Sequence, residues 1–171
     1  MVNRENIKDQ QLIREFLNGD QNSLQTLINR YRNKVYTYIV LLVKDEHLAE
    51  DIFQDTLIKV IKSLHKGKYQ EEGKFLSWTV RIAHNLVIDH FRKENQMKSR
   101  SNDASQKDLF NSKKFSEKTT EDNLVDNQIV KDVRSLLDYL PEDQKQVILL
   151  RHYGGLSFKE IAQQTNVSIN T

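Results

Sequence analysis

Apolar residues recur every three or four positions along most of the chain, and this spacing is typical of amphipathic helices. Only five glycines and one proline occur among the 171 residues, so few breakers interrupt long helices. No segment shows the apolar–polar alternation that predicts a strand. We therefore predict an all-α protein, whose first apolar stripes run over Leu12–Leu17, Leu24–Leu42, Leu48–Leu64 and Phe75–Phe91.

A polar stretch divides this pattern in two. Between about residues 95 and 123 the helical spacing disappears, and Ser, Asn, Lys, Asp and Glu dominate. Such a segment buries too little apolar surface to offset the entropy lost on ordering, so we predict a flexible linker. The predicted organisation is a small helical domain over 8–94, the linker over 95–123 and a second small helical domain over 124–171.

The second domain opens with helical spacing from Ile129 to Leu140. Pro141 then stands where a new helix would start, and Gly154 and Gly155 would end it. The apolar side of this helix is expected to comprise Val147, Ile148, Leu150 and Tyr153.

The last residues, SFKEIAQQTNVSINT, read as a helix, a tight turn and the start of another helix. Ser157 can cap the first helix, and Glu160 completes a capping box. Asn166 stands at the turn, because Asn tolerates the left-handed conformation. Ser168 can cap a second helix that begins with 169–171. The pattern is that of a helix-turn-helix, whose second helix would enter the DNA major groove, although an ordinary helical hairpin shares these features.

The sequence stops within the first turn of this second helix. We expect the natural protein to continue with a basic amphipathic segment that completes the recognition helix, so that the chain is a piece of a longer one. Without that segment, the C-terminal domain is expected to bind duplex DNA poorly.

The composition excludes several classes of function. The chain has no cysteine, which excludes disulfides, cysteine metal sites and cysteine nucleophiles. No apolar run approaches the roughly 20 residues that span a bilayer, and the N-terminus lacks the apolar core of a signal peptide, so we expect a cytoplasmic protein. The histidines are scattered, no glycine-rich phosphate loop occurs and no cofactor is indicated. An enzyme, such as a metal-dependent nuclease, is therefore the least supported class.

The net charge of +2 is a weak indication of nucleic-acid binding, and its distribution is more informative. Arg81, Asn85, Asp89 and Arg92 are spaced by four, four and three, so a helix would place them on one face. Between residues 81 and 100, five basic residues stand against two acids, which suits a phosphate backbone. Asn85 offers both a donor and an acceptor to a base edge, although a solvated surface amide is the alternative.

Trp78, close to this stripe, and the pair Asp89 and Arg92 within it also need an interpretation. Trp78 can stack on a base or fill the core, and its helical register with Ile82 favours the core. Asp89 and Arg92 are three residues apart and are expected to form a pair that stabilises the helix.

His47, Asp51 and Asp55 repeat every four residues, which raises the hypothesis of a metal site. Consecutive helical turns supply ligands in a line rather than around an ion. We therefore favour a solvated acidic face.

Three blocks carry a family resemblance: AEDIFQDTLIKVIKSL (49–64), FLSWTVRIAHNLVIDHFRK (75–93) and LPEDQKQVILLRHYGGLSFKEIAQQTNVSINT (140–171). In this order, with a polar linker before the third, they resemble a bacterial RNA polymerase sigma factor of the extracytoplasmic-function (ECF) type. The resemblance implies that the first domain is a sigma region 2 bundle. It implies that the second domain is region 4, with its helix-turn-helix.

The resemblance also implies a role for each block. The second block and the loop before it would open the promoter −10 element and capture an unpaired base, with Lys74, Trp78, Arg81, Asn85, Arg92 and Lys93 as DNA-binding residues. The first block would dock on the clamp of core RNA polymerase through Asp51, Gln54 and Asp55. The third would help to grip the polymerase flap, and its helix-turn-helix would read the −35 element through Ser157, Lys159, Ser168, Asn170 and Thr171.

The leading hypothesis is a sigma factor that binds core RNA polymerase and directs promoter recognition and −10 melting, with no covalent chemistry of its own. The alternative is a stand-alone helix-turn-helix regulator, but such a protein would not need a second, basic, single-strand-binding helix. The resemblance implies an anti-sigma protein as a further partner, and we expect no direct insertion into a membrane.

Overall fold

The computed structural model describes residues 7–70, 73–99 and 135–168. All regular structure in these ranges is helical, which confirms the prediction of an all-α protein. Residues 135–138 are also helical. The longer helices are α1 (Asp9–Leu17), α2 (Gln21–Val43), α3 (Glu46–His65), α4 (Phe75–Ser99), α5 (Glu142–His152) and α6 (Phe158–Thr165).

The described residues include no helix with both the length and the apolar character needed to cross a membrane.

The ends of the helices follow local chemistry. The side chain of Asp20 accepts a hydrogen bond from the backbone N–H of Asn22 at 3.0 Å, at the start of α2. Asp45 accepts one from the N–H of Leu48 at 2.9 Å, at the start of α3. These contacts satisfy N–H groups that have no partner within the helix. Lys44 lies between α2 and α3 in the left-handed conformation, with φ of 58°.

Helices α1 to α4 pack together through two groups of buried apolar side chains. One group, the first apolar cluster, joins α1 to the beginning of α2, the end of α3 and the start of α4. Its buried members are Leu12, Ile13, Phe16, Leu24, Leu27, Val60, Leu64 and Phe75.

The other group, the shared core, contains residues from both predicted domains. From α2, α3 and α4 it includes Val35, Tyr38, Ile39, Ile52, Phe53, Val80, Ala83 and Val87. From the C-terminal part of the chain it includes Leu137, Leu149, Leu150, Leu156 and Ile161. The described parts of the two predicted domains are both helical, and they pack against each other around one apolar core.

A buried hydrogen bond also ties α2 to α4 within this core. The hydroxyl of Tyr38 and Nδ1 of His84 are 2.8 Å apart, and both residues are buried. Burial disfavours the charged imidazolium and lowers the pKa of His84 to about 4. His84 is therefore neutral near pH 7 and serves as a structural partner of Tyr38.

Helix α4 is longer than the sequence predicted. It continues to Ser99, five residues past the expected domain boundary at 94. Glu, Gln, Met and Lys are good helix formers, so a helix can continue here without an apolar stripe. The rest of the predicted linker, from residue 100 on, lies outside the described residues.

The buried side of α5 differs from the predicted one. Leu150 is buried as expected, but Ile148 is 44% exposed and Val147 is only partly buried. Leu149 and the long side chains of Lys145 and Gln146 are buried instead. This face was missed because α5 turns Lys145 towards Asp138, at an N–O distance of 3.5 Å, and hydrophobicity alone does not reveal such a contact.

Candidate nucleic-acid interface

The polar stripe predicted on α4 forms one face of that helix. Asn85, Arg92 and Lys93 are exposed, whereas Arg81 is partly buried. Nη1 of Arg92 lies 3.5 Å from Oδ1 of Asp89, so the predicted pair within the helix is confirmed. Both side chains are at least half exposed, and such a pair contributes about 0.2–0.5 kcal/mol to helix stability. Arg92 and Lys93 thus extend an accessible basic surface along α4.

Two of the predicted −10 residues converge on one carboxylate of α6. Oε1 of Glu160 accepts hydrogen bonds from Nη2 of Arg81 at 2.8 Å and from Nζ of Lys74 at 3.1 Å. The sequence indicated Glu160 only as a capping residue. Its contact with Arg81 spans 79 positions, and no local pattern announces a pairing at that separation.

A second contact between the same helices involves Asn85. Its Oδ1 accepts a hydrogen bond from Nε2 of Gln164 at 2.6 Å. Lys74, Arg81 and Asn85 therefore lie on a surface that α6 covers, and their role in DNA binding stays a prediction. Gln164 is a further residue that sequence reasoning missed.

Glu160 also forms the capping box at the start of α6, as predicted. Its Oε2 accepts from the backbone N–H and from the hydroxyl of Ser157, both at 2.7 Å. The Glu160 N–H in turn donates to the Ser157 hydroxyl at 3.3 Å. The bonds from the Ser157 backbone and side chain, followed by Lys74, lower the pKa of Glu160 to about 2. Glu160 is accordingly a fixed anion.

Trp78 packs at the edge of the first apolar cluster. Its ring centroid lies 4.9 Å from that of Tyr69 and 5.9 Å from that of Phe75, and its side chain is partly exposed. Ile82 packs against the same cluster. The Tyr69 hydroxyl accepts a hydrogen bond from the Lys74 N–H at 3.2 Å, which connects this aromatic group to the loop before α4. The packing matches the core interpretation of Trp78.

The predicted polymerase-docking residues form an exposed face on α3. Asp51, Gln54 and Asp55 are all exposed, and Nε2 of Gln54 donates to Oε1 of Glu50 at 3.3 Å. Ile58, one turn further along, is 49% exposed on the same face. Sequence reasoning missed Ile58, although its spacing from Asp51, Gln54 and Asp55 places it with them. Among the described residues, no group of three His, Cys, Asp or Glu side chains could hold a metal ion.

The first half of the predicted helix-turn-helix is present. Asn166 follows α6 in the left-handed conformation with φ of 56°, as its position in the sequence predicted. Lys159 and Ser168 are exposed, and Val167, in the turn, is 37% exposed. The predicted contacts of Asn170 and Thr171 lie outside the described residues.

Family models match both helical parts of the chain. Residues 27–96 match the family model of Sigma-70 region 2, and residues 131–171 match that of Sigma-70, region 4. The chain belongs to the sigma-70 family. It is an ECF-type sigma factor, and its function is in the initiation of transcription.

Curated relatives cover nearly the whole chain. The RNA polymerase sigma-H factor of Pseudomonas aeruginosa is 27% identical over 96% of this chain and 86% of its own length. The ECF RNA polymerase sigma factor SigX of Bacillus subtilis is 27% identical, over 86% and 75% respectively. The ECF RNA polymerase sigma-E factor of Haemophilus influenzae is 26% identical, over 98% and 88%.

The family assignment gives names to the two halves of this sigma factor. Region 2 takes in most of α2 and α4 together with the whole of α3, whereas α1 precedes the matched residues. Region 4 contains α5 and α6. The hydrogen bonds from Arg81 to Glu160 and from Gln164 to Asn85 are therefore contacts between region 2 and region 4.

Region 4 also has an open apolar groove between α5 and α6. Phe158, at the start of α6, is 61% exposed, and the guanidinium of Arg151 lies 5.3 Å from the centre of its ring. Val147, Ile148 and His152 complete the lining of the groove. Sequence reasoning did not single out Phe158, which only the packing of α5 against α6 brings beside Ile148.

Proposed function

We propose that region 2 of this sigma factor has two separate working surfaces, one for core RNA polymerase and one for the −10 element. The observation that carries the proposal is the placement of acidic and basic stripes on two neighbouring helices. The exposed face of α3 is acidic, with Asp51 and Asp55, whereas the polar face of α4 is basic, with Arg81, Arg92 and Lys93. Opposite charges on two faces suit two partners of opposite charge.

The surface on α4 binds the non-template strand of the −10 element. Lys74, Arg81, Arg92 and Lys93 contact phosphates, which supplies affinity without sequence information. Asn85, in the middle of the stripe, hydrogen-bonds the edge of an unpaired base. Extruding a base costs a few kcal/mol, which the contacts of the pocket offset. Trp78 supports the loop before α4 through Tyr69, since its ring packs against that side chain.

The surface on α3 docks on the polymerase clamp. Asp51 and Asp55 meet basic residues of the clamp, and Gln54 adds a hydrogen bond. Carboxylates on an exposed helix face accelerate association and select the partner more than they add affinity. Ile58 contributes apolar contact at the end of the same face, because its side chain is half exposed before docking.

Region 4 binds the polymerase flap and the −35 element. The groove lined by Ile148 and Phe158 accepts an apolar segment of the flap, because an exposed apolar patch of this kind is typical of a protein interface. The helix-turn-helix that begins with the capping box of Ser157 contacts duplex DNA through Lys159, Ser168, Asn170 and Thr171. An anti-sigma protein holds the factor inactive in the cytoplasm until it is needed.

The test uses the chain together with core RNA polymerase and a pool of non-template-strand oligonucleotides randomised across the −10 positions. We expect co-migration with polymerase and selection of a defined −10 sequence. Asn85→Ala is expected to lower the preference at one −10 position about 10-fold, the size of one good base contact, with polymerase affinity unchanged.

Asn29→Ala is the matched control, because it removes the same side chain from an exposed position on α2. It should leave both selection and polymerase binding unchanged. Equal loss of polymerase binding and base selection in Asn85→Ala would contradict the assignment of Asn85 to DNA.

A further inference from the structure

Helix α6 of region 4 lies across the DNA-binding face that we assign to α4 of region 2. Three of the proposed −10 residues are occupied at once: Lys74 and Arg81 by Glu160, and Asn85 by Gln164. Arg92 and Lys93, further along α4, stay exposed. The covered part of the stripe is the part that contains the base-reading side chain.

The groups that α6 presents are chemically similar to those of a DNA strand. A carboxylate oxygen that accepts from an arginine and a lysine takes the place of a phosphate oxygen. The carboxamide of Gln164 donates to Asn85, as the exocyclic amine of a base would. The Glu160 carboxylate is held in this orientation, because its other oxygen, Oε2, accepts hydrogen bonds from the backbone N–H and the hydroxyl of Ser157.

Apolar packing and a further hydrogen bond hold the two regions in this arrangement. The Ser77 hydroxyl of α4 donates to the Gly154 carbonyl at 2.6 Å. A methyl group added at Gly154 would lie 3.0 Å from Cγ1 of Val80, so the region 4 backbone rests directly on α4. Leu156 and Ile161 are buried in the shared core with Val80 and Ala83.

A separate ionic contact lies at the other end of the interface. Nζ of Lys44, at the end of α2, pairs with Oδ1 of Asp138, which also lies 3.5 Å from Nζ of the buried Lys145. The contact between the regions is thus anchored at two ends around an apolar middle. It is more extensive than a single pair of surface side chains.

We propose that this arrangement is an autoinhibited state, in which α6 of region 4 masks the −10-binding face of region 2 by occupying its phosphate and base sites. The proposal rests on the function proposed above for α4. Region 4 and the non-template strand compete for the same side chains, so the strand binds only when the regions separate. The apparent affinity for the strand falls in proportion to the closed fraction.

The test compares single-strand binding by the wild-type chain with that of Glu160→Gln combined with Gln164→Ala. Glutamine at 160 retains a capping box but removes the charge that holds Arg81 and Lys74. We expect the variant to bind the selected −10 strand about 10-fold more tightly than the wild type. Gln163→Ala is the matched control, because Gln163 is an exposed glutamine of the same helix, and its affinity should equal that of the wild type.

A reversible cross-link provides a second measurement that does not depend on weakening the contact. A Cβ atom at Gly155 would lie 3.9 Å from Oγ of Ser77, so cysteines at the two positions would be neighbours across the interface. Gly155 has φ of +64°, so a cysteine there carries some backbone strain. The chain has no other cysteine. Oxidised Ser77→Cys/Gly155→Cys should lose binding to the strand, and reduction should restore it.

The outcomes separate masking from the DNA role of α4. Masking would be overturned if the wild type and Glu160→Gln/Gln164→Ala bound the strand with equal affinity. If Asn85→Ala still lowered the affinity for the strand, the DNA-binding role of α4 would remain. Undiminished binding by the oxidised cross-linked form would also overturn masking. If the wild type, Glu160→Gln/Gln164→Ala and the reduced Ser77→Cys/Gly155→Cys protein all fail to bind the strand, the DNA-binding role of α4 is contradicted. Masking, which rests on that role, is then contradicted as well.

Discussion

The polar faces of α3 and α4 belong to the same region 2 bundle but differ in accessibility. On α3, Asp51, Gln54 and Asp55 are exposed, and the hydrogen bonds and ion pairs of the described residues do not connect them to α5 or α6. On α4, Arg81 and Asn85 are bonded to α6. Under the functions proposed above, the polymerase-docking surface on α3 is open, whereas the DNA-binding surface on α4 must first be uncovered. We therefore propose that polymerase docking precedes capture of the strand.

Charge reversal on the open face should have the largest effect. Asp51→Lys combined with Asp55→Lys places two cations where the proposal requires two anions, and like charges across an interface cost several kcal/mol. We expect polymerase affinity to fall about 1,000-fold, measured by fluorescence titration of core polymerase, with strand binding by the free chain unchanged.

Asp51→Asn combined with Asp55→Asn is the graded control and should show a smaller loss, since it removes attraction without adding repulsion. Unchanged polymerase affinity in the lysine variant would remove α3 from the docking surface. The exposure of α3 would then say nothing about polymerase docking, and the comparison with the covered face of α4 would no longer concern two binding surfaces.

The second prediction concerns the core beneath both faces. The pKa of His84 is lowered from 6.5 to about 4, so between these pH values the unfolded chain binds a proton that the folded chain does not. Stability should therefore fall as pH drops from 6.5 to 4, by up to about 3 kcal/mol at about 1.4 kcal/mol per pKa unit. Urea unfolding at a series of pH values measures this slope.

His84→Gln is the control, because glutamine can still hydrogen-bond the hydroxyl of Tyr38 but does not titrate. Its stability should change less over the same pH window. An equally steep slope in both proteins would show that another group is responsible.

A smaller effect is expected at the edge of the covered face. Ser77→Ala removes the hydrogen bond to the Gly154 carbonyl, worth about 1 kcal/mol, and should raise the affinity for the −10 strand by about 3- to 5-fold. Ser63→Ala, a serine on α3, should leave that affinity unchanged. If Ser77→Ala instead lowered the affinity for the −10 strand, Ser77 would belong to the DNA-binding surface and not to the contact with region 4.

The smallest effect is expected inside α4, away from both partners. Oγ1 of Thr79 is buried and has no hydrogen-bond partner among the described residues. Thr79→Val should therefore raise the free energy of unfolding by up to about 1 kcal/mol, as measured by urea unfolding, and should change neither polymerase nor strand binding. A loss of stability would show that the hydroxyl does have a partner in solution.

Features that depend on neighbouring residues were predictable from the sequence. The cap at Asp45, the capping box of Ser157 and Glu160, and the left-handed Asn166 each follow from side chains within a few positions. The helical face that groups Arg81 with Asn85 follows from spacing alone. Short-range sequence patterns are therefore sufficient to predict the local elements and to select the candidate DNA-binding residues.

Features that depend on distant packing were not predictable. The sequence assigned Ile148 to the core, but α5 buries Leu149 and Lys145 instead, because its orientation is set by contacts with the rest of the chain. The bonds of Glu160 and Gln164 to α4 join residues 79 positions apart or more, and a single sequence has no pattern that links them. The masking of α4 became visible only in three dimensions.

The most direct test of masking measures strand affinity with and without core polymerase. In the free chain, Glu160→Gln/Gln164→Ala should bind the −10 strand about 10-fold more tightly than the wild type. The proposal requires regions 2 and 4 to separate in the complex with polymerase, so there the two proteins should bind the strand equally. Equal affinities in the free chain would contradict the account, as would a difference that persists undiminished in the complex.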